Sequence, residues 1–245
     1  MDKRLLYFGG KINSLLQRYG FGIRLTRASA GTMTGGIKRC RERGIEINTV
    51  IDIGASDGRW SETFIRYFPD AYYFLVEAQQ PHEKGLAGFR RRHPNSEYII
   101  AAAGNHYGEI YFEAEDLFGG VASEKPAAGK NIVVPSVTID GEIIKRKLQP
   151  PFAIKMDTHG YELPILEGCE ESLKNTNLLI IEAYVFNLTG STPRFYELCS
   201  YLDKKGFYPV DIADLTWREY DSSLWQMDIF FIRKDRKEFT YHSFR

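Results

Sequence analysis

Three short stretches of this chain carry acidic side chains, two of them with glycines, at spacings that could hold a charged small molecule. In Asp52-Ile53-Gly54-Ala55-Ser56-Asp57-Gly58, an acid precedes the first glycine by two positions and a second glycine follows it by four. The β-branched run over 49–53 leads into this turn and a helical pattern follows. Backbone N–H groups at such a helix start can meet a carboxylate or a phosphate. Ser56 stands where the G-x-G-x-x-G dinucleotide pattern has its second glycine, so a pyrophosphate would approach less easily. An acid before the first glycine suits instead the ammonium and ribose side of S-adenosylmethionine, although the same residues also make an ordinary strand–helix turn. Glu77 ends the next apolar run about twenty residues on, where a carboxylate can accept both ribose hydroxyl hydrogens of an adenosine cofactor. A solvated strand-end acid is the alternative for Glu77, and the two features together are more specific than either alone.

The third stretch, Lys155-Met156-Asp157-Thr158-His159-Gly160-Tyr161-Glu162, closes a later apolar run. It would place Asp157 and His159 at the same sheet edge as Asp52 and Glu77. Methyl transfer from a sulfonium is an in-line displacement that needs alignment and a deprotonated acceptor. An aspartate or histidine beside an acceptor hydroxyl supplies the second need. His159 is a candidate base because its unperturbed pKa lies near neutrality, and packing or capping at a helix start explains it equally well. Asp157 and Glu162 are also a natural cap and first-turn acid; function is favoured for Asp157 and not for Glu162. Trp60, Phe118, Tyr184, Phe186, Trp217 and Trp225 are candidate pocket walls, though most aromatics in such places are core or loop anchors.

The elements that must position these residues follow from alternation of short apolar runs with amphipathic stretches, the pattern of a mostly parallel sheet flanked by helices. Strands are expected at 49–53, 72–76, 98–103, 152–156 and 178–183, with an added strand at 108–114. Helices are expected at 59–67, 81–92, 138–147 (Thr138 capping), 160–173 and 193–204 (Pro193 near its start, Gly206 as its stop). A Gly-, Ala-, Ser- and Pro-containing loop fills 119–130. Strands at 207–212 and 227–232 lack a crossover helix between them and fit a hairpin. Ligands of such a sheet bind at the carboxyl ends of the strands.

The 245 residues suffice for one sizeable domain. Lysine plus arginine and aspartate plus glutamate balance at 32 each, so no field favours nucleic acid or an acidic membrane. Arg90-Arg91-Arg92 reads as helix-end charge complementing the dipole. Cys40, Cys169 and Cys199 lack metal-site spacing and read as thiols of a reducing, cytoplasmic compartment. No uninterrupted apolar stretch suggests a signal peptide or a spanning helix. Leu5, Leu6, Ile12, Leu15 and Leu16 fit a helix packing on its own domain, with contact to a membrane surface or a second copy as the alternative. The chain thus divides into an N-terminal helical extension (1–35), a core domain (36–235) and a C-terminal tail (236–245).

The runs 50–58 and 154–162, with Leu166-Glu167-Gly168, Val134-Pro135-Ser136-Val137-Thr138-Ile139-Asp140 and Gln226-Met227-Asp228, resemble the FkbM-type methyltransferases over about 36–234. The resemblance implies an α/β class I, Rossmann-like fold: a seven-stranded, mostly parallel sheet with helices on both faces. It also implies S-adenosylmethionine-dependent O-methylation of a hydroxyl on a sugar, glycan or related small metabolite. Asp52, Gly54, Ala55, Asp57, Gly58, Glu77 and Ala78 would then lie around the cofactor, and Ala102 and Ala103 would border its adenine. Asp157 and His159 would face the acceptor, although many relatives carry glutamate or glutamine where His159 stands. Related macrocin-type sugar methyltransferases hold magnesium through aspartates. Metal dependence is open here, with Asp157, Glu182 and Asp228 the hard oxygen donors to examine and structural roles preferred for the last two. Two other classes compete: a non-catalytic cofactor-binding or scaffold protein of glycan assembly, and a nicotinamide-dependent oxidoreductase, which the missing second glycine and Asp52 disfavour.

Overall fold

The strand Thr49–Ile53 (β1) is buried along its whole length, as a strand covered on both faces must be. It pairs in parallel with Tyr72–Glu77 (β2) on one side and with Phe152–Met156 (β8) on the other. The computed structural model describes residues 30–126, 129–190 and 192–244. The amphipathic stripe between Leu5 and Leu16, and the extension up to residue 29, lie outside the described residues.

Ser96–Ile100 (β3), Thr176–Tyr184 (β9), Phe207–Trp217 (β10) and Leu224–Arg233 (β11) complete a seven-stranded sheet of order β10-β11-β9-β8-β1-β2-β3. Only β11 runs against the rest, because it forms an antiparallel hairpin with β10 and pairs antiparallel with β9. This is the class I, Rossmann-like arrangement that the sequence led us to expect. Met33–Glu42 (α1), Arg59–Phe64 (α2) and Glu83–Arg92 (α3) cover one face through Ile37, Phe64 and Phe89. Ile139–Arg146 (α4), Glu162–Glu167 (α5), Glu170–Leu173 (α6) and Phe195–Lys204 (α7) cover the other through Ile139, Leu166, Leu173 and Leu202. Among the described residues no helix is long and apolar enough to cross a membrane.

Several expectations change in detail, the helix expected at 59–67 ending at Phe64 among them. The strand expected at 98–103 divides: β3 stays in the main sheet, while Ala102–Ala103 (β4) joins a second sheet. That sheet, of order β4-β7-β5-β6, adds Gly108–Glu113 (β5), Val121–Ser123 (β6) and Asn131–Val137 (β7). β6 lies inside the stretch expected to be loop, and β7 carries Pro135 and an exposed Val133, which blur its alternation. The helix expected at 160–173 starts late, because Gly160 has φ +114°, and breaks at Gly168, where a Cβ would stand 2.0 Å from the Gly104 carbonyl oxygen. The helix expected from Pro193 begins at Phe195, with Glu197 accepting from the Arg194 N–H at 2.8 Å. Thr138 caps α4 as expected, accepting from the Gly141 N–H at 3.2 Å.

Candidate functional site

A cavity of about 390 Å³ opens at the carboxyl edge of β1, β2 and β8. At one end it is lined by Gly54, Ala55, Glu77 and Ala78, with Ala102 and Ala103 beside them. At the other stand Lys155, Asp157, His159 and Glu182. The second sheet adds an apolar wall through Phe112 and Ala122, completed by Tyr161 and Ile165.

The turn after β1 can pass under β8 only as glycine. Gly54 has φ +72°, and a Cβ there would meet the Asp157 carbonyl oxygen at 2.0 Å. Asp157 N–H donates back to the Ile53 carbonyl at 3.0 Å, tying the two strand ends together. The N–H groups of this turn are not free for a ligand: Gly54 and Ala55 both donate to the Val76 carbonyl, and Ser56 donates to Glu77 Oε2 at 2.7 Å. Gln79 N–H donates to the other Glu77 oxygen, also at 2.7 Å. The carboxylate that meets the turn is therefore the protein's own Glu77, held at the cavity wall by two charge-assisted bonds.

Asp52, Asp57 and Gly58 do not line the cavity. The Asp52 side chain points to the opposite face of β1 from Ile53 and accepts from the Ser61 hydroxyl at 2.7 Å. Burial pushes its carboxyl up to about 6, against the pull of the nearby Lys155 ammonium. Asp57 pairs with Arg59 at 2.7 Å, and that hydrogen bond holds its carboxyl below the ordinary range. Gly58, with φ +87°, turns the chain into α2.

At the acceptor end, the buried Lys155 ammonium bonds Asp157 Oδ2 at 2.7 Å, and Lys155 is in register with Asp52 on the neighbouring β1. Burial opposes both charges, but their attraction wins: the Asp157 carboxyl is lowered and the Lys155 ammonium raised. His159 Nδ1 lies 2.6 Å from the Tyr184 hydroxyl and 3.2 Å from Glu182 Oε1, while Nε2 reaches the Phe118 carbonyl at 3.0 Å. Tyr184 in turn donates to Glu182 through a very short bond. Burial disfavours the imidazolium, yet Glu182 and Asp157 outweigh it and raise its pKa to about 9. Carrying hydrogens on both nitrogens, this ring cannot take a proton from an acceptor at neutral pH. Glu162 is a first-turn acid of α5 that braces the preceding loop, accepting from Gly160 N–H at 2.8 Å and from the Thr158 hydroxyl at 3.2 Å.

Asp157, His159 and Glu182 each offer a donor atom, all within 4.8 Å of one another. The set fits magnesium poorly, since it includes a ring nitrogen and each member is already engaged by Lys155, Tyr184, Gln226 or the Phe118 carbonyl. Asp228 lies opposite Glu182 in the sheet but outside that group, and burial pushes its carboxyl up to about 7. Of the aromatics named from sequence, Trp60 and Phe118 line the cavity. Tyr184 supports the charged cluster, Phe186 stacks on Trp225 at 5.4 Å, and Trp217 is exposed away from the cavity. Sequence reasoning gave no role to Lys155, Gln79, His82 or Arg59, all of which line the cavity.

The family model of the methyltransferase FkbM domain matches residues 52–209, from the last polar position of β1 into β10. The chain belongs to the FkbM methyltransferase family. The match takes in Glu77, Asp157, His159 and Glu182 and leaves β11 outside. No curated protein sequence matches the chain significantly. A crystal structure of an FkbM methyltransferase from Methylobacillus flagellatus KT shares 17% identity at a TM-score of 0.49, over 75% of this chain and 43% of that one. This chain thus spans less than half the length of that FkbM structure. A fibrillarin pre-rRNA processing protein of Methanococcus jannaschii matches at 12% identity and TM-score 0.48, over 78% of this chain and 68% of that one. The 1,6-didemethyltoxoflavin-N1-methyltransferase of Burkholderia thailandensis, solved with S-adenosylhomocysteine, matches at 11% and 0.45, over 81% and 76%.

Proposed function

We propose that this member of the FkbM family is an S-adenosylmethionine-dependent O-methyltransferase whose acceptor is a hydroxyl of a sugar, a glycan or a related small metabolite. The observation that carries this reading is the single cavity joining the Glu77 carboxylate and the Gly54 turn at one end to the Asp157 carboxylate at the other. Its volume of about 390 Å³ lies within the range of small-molecule sites. Bound cofactor would supply an electrophilic methyl group on a sulfonium. Glu77 would accept the ribose hydroxyl hydrogens, and Ala102, Ala103 and Ile165 would flank the adenine. Asp157, its second oxygen anchored by Lys155, would orient the acceptor hydroxyl and take the proton it sheds as its oxygen becomes positive. The engaged His159 ring is a support for this carboxylate rather than a base.

The balanced net charge favours a small neutral acceptor over nucleic acid, and three free cysteines fit a reducing, cytoplasmic setting. The engaged donors favour a reaction without magnesium held at Asp157. The test is calorimetric titration of the full chain with S-adenosylhomocysteine, with and without magnesium, followed by mass-detected methyl transfer to a panel of free and nucleotide-linked sugars. Saturable binding and transfer are expected. No binding would overturn the reading, and binding without transfer that Asp157→Asn leaves unaltered would turn it toward a non-catalytic binder.

A further inference from the structure

The segment between β5 and β6 reaches from one end of the cavity to the other, and three side chains hold it by its carbonyl oxygens. Gln79 Nε2 donates to the Asp116 carbonyl at 3.1 Å and to that of Leu117 at 2.9 Å. His82 Nε2 donates to the same Leu117 carbonyl at 2.8 Å, which leaves its Nδ1 to accept from the Ser56 hydroxyl at 3.4 Å. His159 Nε2 donates to the Phe118 carbonyl at 3.0 Å from the opposite end. Leu117 and Phe118 line the cavity yet are 41% and 54% exposed, so they stand between it and solvent. The Phe118 ring lies under the Arg59 guanidinium, 4.9 Å from its centroid, and 5.3 Å from the His82 ring.

We propose that residues 114–120 are a clasp closing the cavity over its occupants, and that His159 is the positioning residue fastening the clasp to the acceptor-side carboxylates. The identity of those occupants rests on the function proposed above. No sheet ladder holds residues 115–119, so the clasp opens when a few side-chain hydrogen bonds let go. Its ties report on both ends of the cavity. The Gln79 backbone N–H holds Glu77 while its side-chain amide holds the clasp, so a ligand on Glu77 and a closed clasp share one residue. At the far end, His159 is bound on its other nitrogen by Tyr184 and Glu182. His159 also keeps a left-handed φ of +51°, uncommon for a non-glycine residue, which contacts at both ring nitrogens help to hold. The tie to the clasp is one of these contacts.

Hydrogen–deuterium exchange of the full chain tests the clasp directly. In the wild type, S-adenosylhomocysteine should slow exchange across 114–120. His159→Ala should speed exchange in that segment, and the ligand's dissociation followed by intrinsic tryptophan fluorescence, by about tenfold each. His159→Gln, which keeps one N–H donor for the Phe118 carbonyl, should recover most of the protection. Gln79→Ala should loosen the same segment from the other end, giving a second reading if His159→Ala folds poorly. Exchange in 114–120 that is unchanged in both alanine variants, or left unrescued in His159→Gln, would overturn the clasp. Failure of the wild type to bind S-adenosylhomocysteine would count against the proposed function instead, because the ligand-free comparison still decides the clasp.

Discussion

Replacing Glu77 with glutamine keeps the shape of the side chain and removes one acceptor. Both carboxylate oxygens now receive a backbone N–H at 2.7 Å, from Ser56 and from Gln79. Glutamine can satisfy only one of them and turns an NH2 toward the other, so one loop N–H faces a donor. If the same oxygens also take the ribose hydroxyls, cofactor affinity loses a charged hydrogen bond, about 1.5–3 kcal/mol, or roughly 10- to 150-fold in Kd. Glu77→Ala should cost a similar 1–3 kcal/mol or so, because water replaces part of what is lost. Calorimetry with S-adenosylhomocysteine measures this, but a loosened loop could weaken binding without any ribose contact. The decisive comparison uses an analogue lacking both ribose hydroxyls, in a double-mutant cycle. Removing the hydroxyls should hurt the wild type and leave Glu77→Gln nearly untouched, giving a coupling of about 1 kcal/mol or more. Zero coupling, with both losses simply adding, would refute the ribose role and leave Glu77 as a brace for the turn.

Gly54→Ala should cost about 2–4 kcal/mol of stability, since φ +72° and a Cβ placed 2.0 Å from the Asp157 carbonyl oxygen cannot both be relieved locally. A wild-type urea midpoint in this variant would show that the two strand ends part easily. The His159 pKa, raised to about 9 by Glu182 and Asp157 against its burial, makes a stabilising contribution that is complete below about pH 6.5. That contribution, about 3 kcal/mol at most, is lost as pH rises through about 9. Urea unfolding of the wild type at about pH 6 and about pH 9.5 should therefore differ more than that of His159→Gln, and equal differences would remove the linkage. Asp228 acts in a lower window: its native carboxyl, pushed to about 7 by burial, favours the protonated form, so its contribution falls from about pH 4 to about pH 7. Asp228→Asn should flatten that part of the stability curve, and an unaltered curve would show that the carboxyl ionises without penalty. Adding a chelator should leave S-adenosylhomocysteine affinity and methyl transfer unchanged; a loss of either, restored by magnesium, would mean that the Lys155 and Tyr184 contacts yield to an ion.

What could be read from the sequence was local, and what could not was long-range. The buried runs at β1, β2 and β8 declare a parallel sheet by hydrophobicity alone, and the missing crossover helix between β10 and β11 declares the hairpin. Acids and glycines at strand ends mark the carboxyl edge. Which of them faces the cavity is a matter of strand parity. Asp52 follows the opposite face from Ile53, which lines the cavity, and lies inside the strand where the Ser61 hydroxyl of the covering helix takes its carboxylate. His159 is a different case. Its partners Tyr184 and Phe118 lie 25 and 41 residues away, and nothing local tells a ring poised as a base from one committed at both nitrogens. Lys155 carries a signal of its own. A lysine in a strand whose five residues are all buried must find carboxylates or lose its charge. The acids placed to meet it are Asp52, beside it in register, and Asp157, two residues on. Lys155 therefore requires that at least one of the two acids first suspected of binding ligand be spent on the protein itself. Asp52 is buried beside it and bound by the Ser61 hydroxyl, and Asp157, whose Oδ2 is taken by Lys155, keeps only Oδ1 for an acceptor.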